Sequence, residues 1–119
     1  MPSNVTYRTR EIKAGANAVA GELADVQMPV VKHYTRVTGI SVVDLKDHNN
    51  FGFGINTHDD QVEVAILPKD MWAPQNNTMN DGFRKTDIAL HENEVLIKPK
   101  IFNAQAAELH ALVVFELRP

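Results

Sequence analysis

The chain has no cysteine, one tryptophan and only two serines, Ser3 and Ser41. Without cysteine there is no disulfide, no thiolate nucleophile and no Cys-ligated zinc, although this leaves the compartment open. Neither serine lies in the strand-to-helix elbow that presents a nucleophilic hydroxyl. A basic excess is missing as well. Twelve Lys and Arg stand against fifteen Asp and Glu, a formal net charge of −3, so no nucleic-acid partner is expected. No apolar run is long enough to span a membrane, and the opening MPSNVTYRTR lacks the apolar centre of a secretory signal. Asn4-Val5-Thr6 and Asn76-Asn77-Thr78 match the glycosylation triplet, which carries no weight without such a signal. Together these absences argue against an enzyme, and no cofactor is expected.

What the chain does have is alternation. Its 119 residues suit one domain, 1–119, and 44% hydrophobic with 23% charged content is ordinary for a soluble globular fold. The stretch from Gly39 to Pro74 organises the rest. Val62, Val64 and Ile66 share one parity while Gln61 and Glu63 take the other, the period-two pattern of a strand with one buried face. Phe51, Phe53 and Ile55 alternate with Gly52 and Gly54, which suits a strand on whose bare face something packs closely, or one that bends sharply. Asp47-His48-Asn49-Asn50 and His58-Asp59-Asp60 read as turns, because Asp and Asn bond their own backbone. With Ile40–Leu45, which reads as buried on both sides, these runs predict a three-stranded antiparallel meander.

On either side, the same patterning continues. Val5, Tyr7 and Thr9 begin a first strand, and 13–27 reads as extended with a helical turn as the rival, because Gly15 and Gly21 each weaken a helix by about 1 kcal/mol. Residues 1–28 are a candidate N-terminal arm. Met28-Pro29 opens a strand over Val30–Thr38. Thr86–Leu90 and Val95–Phe102 flank His91-Glu92-Asn93-Glu94 as a hairpin, with Pro99 at an edge or bulge. Leu109, Ala111, Val113, Phe115 and Leu117 share one face of a last strand expected at the centre of a sheet, while Leu112 and Val114 mix with His110 and Glu116 on the other. Eight or nine short strands predict an all-β fold, an antiparallel β-sandwich of the single jelly-roll kind.

Candidate chemistry is sparse. His33, His48, His58, His91 and His110 include no His-x-His pair, so the cupin metal motif fails at its first residues, and the histidines in turns read as solvated. A cupin-like metal-binding protein using His33, His58 or His110 stays as one alternative. Asp44, Asp47, Asp59 and Asp60 are candidate ligands for a hard cation, against their ordinary use as turn residues. Pro68–Lys85 is the longest irregular segment and holds Met71, Trp72, Met79 and Phe83. Trp72 reads equally as a cap over the core and as an anchor for a partner. A carbohydrate-binding module with Trp72 as its stacking platform is the other alternative.

The succession Gly39-Ile40-Ser41-Val42-Val43, the Asp47–Asn50 turn, Phe51-Gly52-Phe53-Gly54-Ile55 and Gln61-Val62-Glu63-Val64 carries a resemblance. Leu67-Pro68-Lys69, the aromatic before Pro74, Val95–Phe102 and Val113-Val114-Phe115-Glu116-Leu117 complete it. Over Gly39–Leu117 the chain resembles the small single jelly-roll proteins of virus particles, notably the vertex proteins of tailless, membrane-containing phages. The resemblance implies a structural virion protein, not a catalyst, that assembles with copies of itself or with a shell protein. Met71, Trp72, Met79 and Phe83, followed by Tyr7, Arg8 and Arg10, are the contact residues expected. The place implied is the virion, with the cytoplasm as the alternative.

Overall fold

The computed structural model describes residues 5–29, 31–57, 59, 61–72, 83–90 and 94–119. These form β1 Thr6–Ala14, β2 Gly21–Glu22, β3 Val26–Met28, β4 Arg36–Asp44, β5 Phe51–Thr57 and β6 Val62–Pro68. The short helix α1 Lys69–Trp72 follows, then β7 Arg84–Ala89, β8 Val95–Ile101 and β9 Leu109–Arg118. Four strands pair in the order β1-β9-β4-β7 and five in the order β2-β8-β5-β6, with β3 also on β8. All pairings are antiparallel, and the two sheets enclose one apolar core, so the chain is an all-β sandwich. No helix among the described residues is long and apolar enough to cross a membrane.

β9 is the spine of the four-stranded sheet. Its inward residues Leu109, Ala111, Val113, Phe115 and Leu117 are fully buried, as their shared parity predicts. β1 pairs along it from Thr6↔Leu117 to Ala14↔Leu109, and β4 lies on its other side. The facing layer is supplied by Met28, Phe51, Phe53, Ile55, Val95, Ile97 and Ile101, also buried. Burying each such side chain stabilises the fold by about 2 kcal/mol before entropy is counted.

The glycines of β5 have the close neighbour their spacing implies. A Cβ on Gly52 would meet the Leu67 carbonyl, and one on Gly54 would lie 2.8 Å from the Val64 carbonyl oxygen. The β5–β6 register shifts between Phe53 and Ile55 and again before Asn56, so β6 bulges over the side-chain-free face of β5. Pro99 lies in β8, which is not an edge strand, but it faces the break between β2 and β3. Its carbonyl accepts from Leu23 N–H at 3.0 Å, and in an antiparallel strand a residue's N and O point the same way, so the missing donor faces that gap.

Several expectations are corrected. Residues 1–28, the candidate arm, supply β1, β2 and β3 over their described part; 13–27 is extended, as expected, apart from a turn at Gly15–Ala18. Val30–Thr38 is not one strand: Val31 and Tyr34 bridge across a turn in which His33 takes a φ of 74°, and β4 begins at Arg36. β4 is not buried on both sides, since Val43 and Leu45 are each 46% exposed. There is no three-stranded meander, because β4 and β5 belong to different sheets; likewise β7 and β8 are not a hairpin. Val62, Val64 and Ile66 do not share one buried face: Val64 lies opposite Ile55 and packs against the core, whereas Val62, opposite Asn56, is 67% exposed, because the register shifts against β5 break the alternation of β6.

Candidate functional site

Trp72 is a core residue. It is fully buried, its ring stacks on Phe53 at 4.4 Å and 10°, and its Nε1–H donates to the Phe53 carbonyl at 2.9 Å. The Arg84 guanidinium lies 5.8 Å from its ring centre. A short helix can place an indole this way because Pro68 ends β6 and turns the chain back over the open end of the sheet. Trp72 therefore caps the core and offers no anchor to a partner. Met71 beside it is half-exposed, and Met79 lies outside the described residues.

Two other expected contact residues meet. Tyr7 on β1 and Phe83 just before β7 approach to 5.7 Å between ring centres. Phe83 reaches there by crossing over Gly39, where an added Cβ would lie 3.3 Å from the Phe83 Cβ. Beneath them Glu116 is buried, its carboxylate accepting from the Thr38 hydroxyl at 2.8 Å. Arg8 and Arg10 fall on the inward parity of β1 at the sheet edge, where Arg10 Nε donates to the Gln27 carbonyl at 3.0 Å and so ties β1 to β3. Arg8 bonds to Thr6 Oγ1 and the Tyr7 carbonyl. These arginines brace an edge strand and protect it from strand addition.

The Tyr7–Phe83 pair continues into a strip that residue-by-residue reading of the sequence did not single out. Ser41 lies opposite Val114 and Val43 opposite Leu112, all on the outward side of the four-stranded sheet, with Leu45 next along β4. The signal was present in β9, whose outward parity carries Leu112 and Val114 where a solvated face would carry polar residues. Charged side chains border the strip at one end. His110 Nε2 is 3.2 Å from Glu11 Oε1, with Lys13 Nζ 3.5 Å from Glu11 Oε2. The hydrogen bond from His110, and then the Lys13 charge, hold the Glu11 carboxyl below its ordinary value.

The acidic candidates do not converge. Asp44 is ion-paired to Lys69 Nζ at 2.6 Å and accepts from the backbone N–H of Lys46 and His48, so its oxygens are already used. Asp47 and Asp59 are exposed, and Asp60 lies outside the described residues. Among the described residues no group of three or more metal-ligating side chains comes together. Gln105 organises this end of the sandwich instead. Its Oε1 accepts from Asn49 N–H and Asn50 Nδ2–H, and its Nε2–H donates to the Asp47 carbonyl.

Of the histidines, His58 and His91 lie outside the described residues and His33 is exposed in its turn. His48 is not solvated as its turn position suggests: it is 1% exposed and meets the Phe51 ring edge-on at 6.0 Å. Its Nδ1 accepts from Asn50 N–H, while its Nε2 finds no hydrogen-bond partner among the described residues. No family model, curated protein or solved structure matches the chain.

Proposed function

We propose that the chain is a structural component of a virus particle, a single jelly roll that assembles with copies of itself or with a shell protein. The observation that carries assembly is the outward face of the four-stranded sheet. Val43, Leu45, Leu112 and Val114, with the Tyr7–Phe83 pair at one end, give a sheet face with apolar residues where a monomer would gain from polar ones. The strand orders support the jelly-roll reading. If β2 and β3 count as one interrupted strand there are four strands per sheet, the first and last strands pair, and only β5–β6 connects neighbours within a sheet. The virion setting rests on the sequence resemblance over Gly39–Leu117.

The sugar-binding alternative loses its platform, since the Trp72 ring is buried against Phe53. Native mass measurement and light scattering test the proposal. The expected result is a closed oligomer, which Val43→Lys with Leu112→Lys returns to monomers that keep the β-sheet circular dichroism of the parent. A chain that stays monomeric at millimolar concentration sinks the self-assembly reading.

A further inference from the structure

The five-stranded sheet carries a cleft of about 500 Å³ on its outward side, within the range of pockets that hold small ligands or peptide segments. Its floor is Asn56 of β5 and Lys98 of β8; one wall is the β2–β3 strap with Glu22, Leu23 and Asp25, the other is β6 from Val62 to Ile66. Both walls are fixed in place. The strap is held by Leu23 N–H on the Pro99 carbonyl and by Lys98 Nζ on Asp25 Oδ2 at 2.9 Å. The β6 wall is raised by the bulge that rides over Gly54.

The two walls differ in chemistry. Val62 and Ile66 make one aliphatic, Val64 packing against the core opposite Ile55, whereas the other presents the Glu22 carboxylate beside the Asp25–Lys98 ion pair. We propose that this cleft is a docking groove for an extended segment of a partner protein that carries a lysine or arginine between aliphatic residues. The cationic head reaches Glu22, beside the Asp25–Lys98 pair that holds the strap, and the aliphatic side chains lie against β6. A peptide fits better than a free amine, because the β6 wall runs for about 13 Å, the reach of four extended residues. The groove is on the opposite sheet from the apolar strip, so the inference stands independently of assembly through that strip.

Titration of the full chain with acetyl-Thr-Val-Lys-Val-Thr-amide, followed by backbone amide shifts, tests it. Saturable shifts are expected at 22–25, 54–56, 62–66 and 96–98, with the glutamate-for-lysine peptide roughly tenfold weaker, the scale of one charge-assisted hydrogen bond. Glu22→Gln, which leaves the Asp25–Lys98 tie in place, should erase that preference. Val62→Lys, at an exposed position that leaves the core alone, should abolish binding of the lysine peptide. The proposal is overturned if no peptide saturates, if both bind equally, if the shifts lie on the other sheet, or if n-butylamine binds as tightly as the peptide.

Discussion

The four-stranded sheet is built along β9, with nine residue pairs in unbroken register between β1 and β9 and a single shift at Val37–Gly39 of β4, and it turns an apolar surface outward. The five-stranded sheet is made of shorter pieces: β2 and β3 are separate fragments along β8, and β6 is bulged against β5. Both sheets bury the same kinds of side chain. They differ in where the tolerance to change lies. The first is specified by side-chain parity, so its outward residues can vary without disturbing the fold. The second depends on backbone approaching backbone, where a single added carbon has nowhere to go.

Breaking the comparison at its strongest point means removing the cap on the five-stranded sheet. Trp72→Ala should cost about 4 kcal/mol in urea unfolding, through the lost stacking on Phe53 and the cavity left behind. Next comes a matched pair of glycines. Gly52→Ala forces a methyl into the Leu67 backbone and should cost about 3 kcal/mol, whereas Gly39→Ala meets mainly the Phe83 side chain and should cost under about 1 kcal/mol. Equal losses at the two positions would end the distinction drawn between the sheets. Gln105→Ala, which frees the Asp47–Asn50 turn by removing three hydrogen bonds, should cost about 2 kcal/mol and speed hydrogen exchange at the Asn49 amide. Leu45→Gln on the apolar outward face should change stability by no more than about 0.5 kcal/mol.

The smallest effect is electrostatic. Glu11 titrates below its ordinary value of 4.5 in the folded state, so its bonds to His110 and Lys13 stabilise the fold above that value. The contribution is lost as pH falls through the lower folded value. Melting temperatures of the parent and Glu11→Gln should therefore differ at pH 6 and converge by the most acid point at which both still fold.

Much of the sandwich was legible because parity is local. Leu109 to Leu117 announced a buried face without any knowledge of its partners, and Gly52 and Gly54 announced a close neighbour without naming β6. Connectivity was not legible. The turn at Asp47–Asn50 looks like a hairpin in sequence, yet β4 and β5 lie in different sheets, because a short loop can cross between layers as readily as it joins neighbours. His48 went unread for a similar reason: its burial is set by how the loop swings its ring against Phe51. Tyr7 and Phe83 could each be suspected as contact residues, but their meeting across 76 positions depends on the whole four-stranded sheet being assembled. The outward Leu112 and Val114 were visible beside His110 and Glu116, but that this face of β9 forms a strip with Val43 and Leu45 depends on the pairing of β4 with β9.

One consequence concerns the order of folding. Among the described residues β1 has no strand neighbour other than β9, and β4 lacks its partner on that side until the same ten residues arrive. β9 must therefore insert between two elements synthesised long before it, with the loop-closure cost that such distant pairing carries. The four-stranded sheet cannot form until residues 109–118 have been made, so a nascent molecule keeps the apolar residues of that sheet uncovered until then.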